Sequence, residues 1–220
     1  MHHKTRLVGT LAVLAWAIAA PAAHAGNLFI ANNSNDTVSE VTPSGVATTF
    51  ATGFDGPTGL AFNASGDLFV ANADNNSISE VTPSGVVTIF ATGLNFPVSL
   101  AFNASGDLFV GNVGNSSISE VTPSGVVTTF ATGVNLPFGL AFNASGNLFV
   151  ANAGNRSISE VTPSGVVTTF ATGFSDPVGL AFQPTFQPVP EPSSLFLGTV
   201  AALTMLGYGW WRRRAVATAG

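Results

Sequence analysis

Between residues 26 and 183 the chain repeats itself almost verbatim every 40 residues, with copies opening at Gly26, Gly66, Gly106 and Gly146. A unit of this length recurring in register cannot bury a hydrophobic face alone, so it has to stack on its neighbours. Each copy holds four short β-type runs, which in the second register are residues 57–63, 67–72, 77–82 and 86–92, here called a, b, c and d. Asn63-Ala-Ser-Gly66 separates a from b, and Thr82-Pro-Ser-Gly85 separates c from d. Both have the Gly, Pro, Asn and Ser chemistry of tight turns. No stretch of the repeats carries helical periodicity. Four short strands per unit of about 40 residues predict an all-β fold, a small four-bladed β-propeller.

Run b is apolar on both faces, as in Leu68-Phe-Val-Ala71, which suits a sheet sandwiched between neighbouring blades. Twelve of the eighteen phenylalanines fall into three register columns: 29, 69, 109, 149; 50, 90, 130, 170; and 62, 102, 142, 182. Repeated on every sheet, these rings make blade-to-blade packing the expected main source of stability. The first copy enters at run b, whereas the chain leaves the repeats after a lone run a, residues 177–182. Pairing of Pro177 to Phe182 with Asn27 to Asn32 would close the ring and remove its exposed edges. In agreement, the Asn-Ala-Ser-Gly turn is replaced by Gln183-Pro-Thr-Phe186, where no covalent link from a to b is needed. Two chains joined into a larger ring, or an open stack, are the competing geometries.

In sequence the copies resemble NHL-type repeats, through Gly66-Asp-Leu-Phe-Val-Ala-Asn72, Asn75, Ile78 and Pro83-Ser-Gly85. Asn32, Asn72, Asn112 and Asn152 stand where that family commonly has Asp. Sugar-lactonase and virginiamycin B lyase propellers share this general look. The resemblance to them implies a metal held by acidic and Asn groups, with His as the base in the lyase. The inventory does not supply that chemistry. All three histidines (His2, His3, His24) precede residue 26, and the repeats contain no His, Lys or Cys. General-base and nucleophile roles therefore lack their usual side chains. Glu40, Glu80, Glu120 and Glu160 recur at one register position, which suits a fold role better than a catalytic one. The chain is expected not to be an enzyme.

Charge is as unevenly placed as the histidines. Between residues 26 and 190 ten Asp and Glu face a single basic residue, Arg156. Phosphate backbones need clustered Lys and Arg, so nucleic acid is not an expected partner. The absence of cysteine removes disulfides and thiolate ligands.

The two ends read as addresses. Residues 1–25 run from His2, His3, Lys4 and Arg6 through an apolar stretch to Ala23-His-Ala25, the pattern of a secretory signal peptide cut by signal peptidase between Ala25 and Gly26. The repeat domain is placed at 26–185 and a linker at 186–194. Residues 195–214 follow as an apolar segment with a basic end, and 215–220 as a tail. The apolar part, 195–211, would cover about 26 Å as a helix, close to the lower limit for a bilayer. Pro190-Glu191-Pro192, this helix and Arg212, Arg213 and Arg214 occur in the order of the PEP-CTERM sorting signal, which the tail resembles. The resemblance implies processing by an exosortase, a membrane anchor that is at least transient, and display in the cell envelope or on the cell surface, outside the cytoplasm.

The a-to-b and c-to-d turns are nearly identical in every copy, whereas the d-to-a and b-to-c loops vary and share the opposite face. Phe54, Asp55, Leu94, Asn95, Phe96, Asn135, Leu136, Arg156, Phe174 and Asp176 form the candidate partner-binding face. Aromatic and aliphatic groups among amides suit a surface polysaccharide or a matrix protein. A purely structural surface-layer role is the alternative function, and a lactonase-like or lyase-like enzyme a remote one. No cofactor is expected. The columns Asn32, Asn72, Asn112, Asn152 and Asn35, Asn75, Asn115, Asn155 read as turn residues bonding local backbone, with Ca²⁺ ligation beside Asp36 and Asp74 as the competing reading.

Overall fold

A computed structural model describes residues 26–183 of the chain. Its fifteen strands follow in sequence order: β1 (Leu28–Asn32), β2 (Thr37–Val41), β3 (Ala47–Thr52), β4 (Pro57–Phe62), β5 (Leu68–Asn72), β6 (Ser77–Val81), β7 (Val87–Thr92), β8 (Pro97–Phe102), β9 (Leu108–Asn112), β10 (Ser117–Val121), β11 (Val127–Thr132), β12 (Pro137–Phe142), β13 (Leu148–Asn152), β14 (Ser157–Val161) and β15 (Val167–Thr172). They build four antiparallel sheets, β1 to β3 and then β4 to β7, β8 to β11 and β12 to β15, each a meander in chain order. These are the four blades of an all-β propeller, as the repeat predicts. The signal segment with Ala25, the 190–192 motif, the apolar stretch 195–211, Arg212 to Arg214 and the tail lie outside the described residues.

Turn chemistry fixes each hairpin. The Asn63 side-chain oxygen accepts the backbone N–H groups of Ser65 at 2.9 Å and Asp67 at 2.8 Å. Asn103 and Asn143 repeat the pattern. Such side-chain bonds mimic a backbone turn and leave the left-handed position to Gly66, at φ +87°. Strand a begins with Pro57, Pro97 or Pro137 and forms the edge of its sheet, the place in a ladder where a missing N–H is tolerated.

One irregularity recurs in all four blades. Between strands c and d the register skips a residue: Val38 pairs with Ala51 but Ser39 with Thr49, so Phe50 is the extra residue of a β-bulge. Phe90, Phe130 and Phe170 occupy the same place. The bulge breaks strict alternation, so that Phe50 and its neighbour Ala51 pack into one cluster. There the Phe50 ring meets Phe29 edge to face, centroids 4.9 Å apart, and Phe29 meets Phe62 of the next blade at 5.0 Å. Phe69 takes the same two partners in its interface and Phe109 in the next.

Every internal interface therefore has a front and a back. Blade two offers Phe69, Ala71, Ile78 and Leu94, and blade three answers with Leu108, Val110 and Val121. The two flanking interfaces use the same columns.

Ring closure is where the structure departs from expectation. Residues 177–182 carry no strand, and among the described residues the only strand partner of β1 is β2. The expected pairing of Pro177 to Phe182 with Asn27 to Asn32 is not made. Residues 178–180 instead lie against blade four as strand a of a following blade would. A methyl group on Gly139 would meet the Val178 carbonyl at 2.8 Å, just as one on Gly59 would meet that of Val98 at 2.7 Å. Leu180 packs on the blade-four cluster of Phe149, Ala151 and Ile158. The sheets thus form an open arc. Leu28 is 62% exposed, although its counterparts Leu68, Leu108 and Leu148 are 1% exposed.

Candidate functional site

The loop face divides into two populations. Phe54, Leu94 and Val134 are buried at 6–7% exposure, each plugged into the next blade, whereas Phe174, which no further blade follows among the described residues, is 42% exposed. The expected exposure of Phe54 and Leu94 is thus corrected. Loops usually present their side chains to water, but here the residue after the positive-φ glycine (53, 93, 133) turns back toward the neighbouring sheet. Asp55, Asn95, Phe96, Asn135, Arg156, Phe174 and Asp176 are exposed, and Leu136 is half-buried.

Sequence variation on this face follows a rule of pairing. The residue closing the b-to-c loop caps the backbone of the d-to-a loop twenty positions on. Asp36 Oδ1 accepts from Gly56 N–H at 3.0 Å, Asn76 Oδ1 from Phe96 N–H at 2.6 Å, and Ser116 Oγ from Leu136 N–H at 3.3 Å. Both partners sit in the left-handed region, with φ of +58° and +60° in the first pair. Arg156 has no acceptor in its side chain, and there the bond is replaced by an ion pair with Asp176 at 3.5 Å.

The asparagines of strand b form a second device, which sequence reading assigned to turns. Asn72, Asn112 and Asn152 are fully buried. Each amide nitrogen donates to two serine hydroxyls of strand c, for Asn72 those of Ser77 and Ser79 at 3.1 and 2.8 Å. Each amide oxygen accepts a backbone N–H from the preceding d-to-a loop: Asp55 at 3.4 Å, Asn95 at 3.1 Å and Asn135 at 3.0 Å. These are polar latches between blades. A signal was present in the sequence, since one amide per copy ended an apolar run and faced serines across the hairpin.

The second column, Asn35, Asn75, Asn115 and Asn155, accepts the hydroxyls of Thr37, Ser77, Ser117 and Ser157. The amide oxygens a Ca²⁺ ion would need are thus engaged by protein donors, as is Asp36 Oδ1. Among the described residues no three His, Cys, Asp or Glu side chains group as a metal site.

Clefts open between neighbouring blades. One of about 550 Å³ is lined by Thr129, Thr132, Asn155, Ser159 and Thr169 together with Phe130 and backbone. Another of about 280 Å³ is lined by Asn95, Asn112, Asn115, Ser117, Ser119 and Thr128. Neither contains an ionisable side chain.

With this geometry in view, the sequence model of the virginiamycin B lyase family matches residues 11–184. The chain belongs to the virginiamycin B lyase family. A solved member, a catalytically inactive histidine-to-alanine variant of virginiamycin B lyase from Staphylococcus aureus with quinupristin, is 20% identical with a TM-score of 0.63. That match covers 70% of this chain and 55% of the lyase, so the chain spans about half the length of this relative. A putative gluconolactonase is 17% identical with a TM-score of 0.56 over 68% of this chain and 63% of that one. A chain of a nidogen/laminin complex is 19% identical with a TM-score of 0.64 over 71% and 66%. The propeller thus occurs both in proteins described as enzymes and in a chain of a nidogen/laminin complex. No curated protein matches the sequence.

Proposed function

We propose that the chain is a non-enzymatic binding module for uncharged polysaccharide, exported and held at the cell envelope. The carrying observation is the lining of the two clefts just described: mostly hydroxyls, amides and backbone, with a few apolar side chains and no ionisable group, unlike a third, more apolar cleft that holds Glu120. Such a lining matches the hydroxyls of a neutral sugar chain. Phe96 and Phe174, exposed on the loop face, offer flat surfaces for sugar rings. The family match does not extend to catalysis on this reading. The solved lyase variant lost activity with one histidine, and this chain has no histidine after His24. Export rests on the signal pattern ending at Ala25, and sorting on Pro190-Glu191-Pro192 with Arg212 to Arg214.

The purified protein is expected to retain neutral exopolysaccharide on an affinity gel. Thr129→Val with Thr169→Val, both at exposed positions of the larger cleft, should weaken retention at least tenfold while the circular dichroism spectrum stays unchanged. Equal retention by the variant would sink the reading. Mass spectrometry of the envelope-bound form should find Gly26 at the N-terminus and a C-terminus close to residue 190.

A structural surface-layer role is the second reading. It is favoured by the apolar end faces of the arc.

A further inference from the structure

The arc ends in two faces that match each other better than they match water. At one end, blade one presents Leu28, Ile30 and Val41, the columns that in blades two to four (Leu68, Val70, Val81 and their repeats) receive the preceding blade. Leu28 and Ile30 are exposed here. At the other end, blade four presents Phe170 and Phe174, 62% and 42% exposed, beside the buried Phe149 and Ile158. These are the columns that blades one to three press against the next sheet.

Three further details concern the same two ends. Among the described residues blade one has three strands where the others have four. Residues 178–180 already lie where strand a of a following blade belongs, and among the described residues no strand b pairs with them. Asn32 donates to Thr37 and Ser39 as its buried counterparts do, yet among the described residues its amide oxygen receives no N–H from a preceding loop. The missing donor corresponds by register to the backbone of Ser175, at the far end of the arc.

We propose that a second copy of this chain docks head to tail on these faces, and that the two arcs close into one ring of eight blades. Each copy lends its residues 177–182 as strand a to the other's first blade, in the register of β4 on β5. Leu180 would face Ile30, and Pro177 would face Asn32. The new interface continues the internal one, which the molecule forms three times over. Curvature leaves the four blades of one chain at roughly half a ring, with room for a second copy. If four blades account for 55% of the lyase, a chain of that length holds about seven such units, so each blade turns through far less than the quarter circle a four-blade ring demands. A heterologous contact that closes after two copies gives a finite ring, free of sheet edges. This inference is independent of the polysaccharide reading.

The chain has no cysteine, which makes thiol trapping clean. Full-length Ile30→Cys and Leu180→Cys chains carrying different tags should, when mixed under mild oxidation, form a disulfide between tags. Light scattering of the unmodified full chain should give twice the chain mass. Leu28→Asp with Ile30→Asp, at positions exposed in the single chain, should halve that mass without altering the circular dichroism spectrum. An intrachain disulfide in the Ile30→Cys, Leu180→Cys double variant would overturn the proposal, showing that one chain closes on itself. A single-chain mass, a mass growing without limit, or a dimer that survives the aspartates would overturn it too.

Discussion

At the scale of single residues, the repeats depart from identity in pairs that compensate. Strand a carries Gly59 and Gly139 where blade three has Ser99, and strand b carries Ala71 and Ala151 where blade three has Gly111. A methyl on Gly111 would lie 2.2 Å from Ser99 Oγ and 2.5 Å from the Pro137 carbonyl. The hydroxyl bonds that same carbonyl at 3.0 Å, so serine was accommodated only where its neighbour lost a methyl group. Gly111→Ala is expected to cost ~1–3 kcal/mol, and Ser99→Gly in the same chain to recover most of it, as measured by urea unfolding in a double-mutant cycle. The latch asparagines carry a similar expectation. Asn112→Ala leaves the Asn95 N–H without its acceptor and removes the donor to the Ser117 and Ser119 oxygens, a loss of ~1–3 kcal/mol. Asn32→Ala should cost less in the single chain, where the inter-blade bond is absent. The asparagine column was visible in the sequence, but its role was not. The donor to each amide sits seventeen residues upstream in the loop arriving from the preceding blade, beyond any local turn motif.

At the scale of strands and sheets, most of the fold was legible. Alternation and turn residues mark the strands, because a side-chain period of two and a left-handed glycine are local properties. The bulge at Phe50, Phe90, Phe130 and Phe170 was not legible, since a skipped register depends on the partner strand. The same reason hid the burial of Phe54 and Leu94: the pocket each fills belongs to the next blade. Phe109 lies at the centre of an aromatic trio, with Phe130 at 4.8 Å and Phe142 of the following blade at 5.0 Å. Phe109→Ala is expected to destabilise by ~3–5 kcal/mol and to uncouple blades three and four, seen as a second transition in thermal unfolding.

At the scale of the whole molecule, ring closure is set by the rotation between blades summed along the chain, a quantity no single motif encodes. The terminal run a, residues 177–182, was therefore recognisable in the sequence, but the pairing with β1 expected of it is not made: residues 178–180 lie against blade four instead. A linear array of like units frays from its ends. Hydrogen exchange should be slowest in β9 and β10 and fastest in β1 and β15. If two copies close the ring, protection of β1 should rise with protein concentration while that of β9 stays constant. The sameness of the interfaces has a further consequence for how such a chain lengthens or shortens. Because every blade meets its neighbours through the same columns, removing or duplicating one 40-residue unit leaves each remaining contact intact, and only the sweep of the curve changes. The number of blades is thereby released from the chemistry of packing, and a slip in copying the gene can test a new circumference in one step.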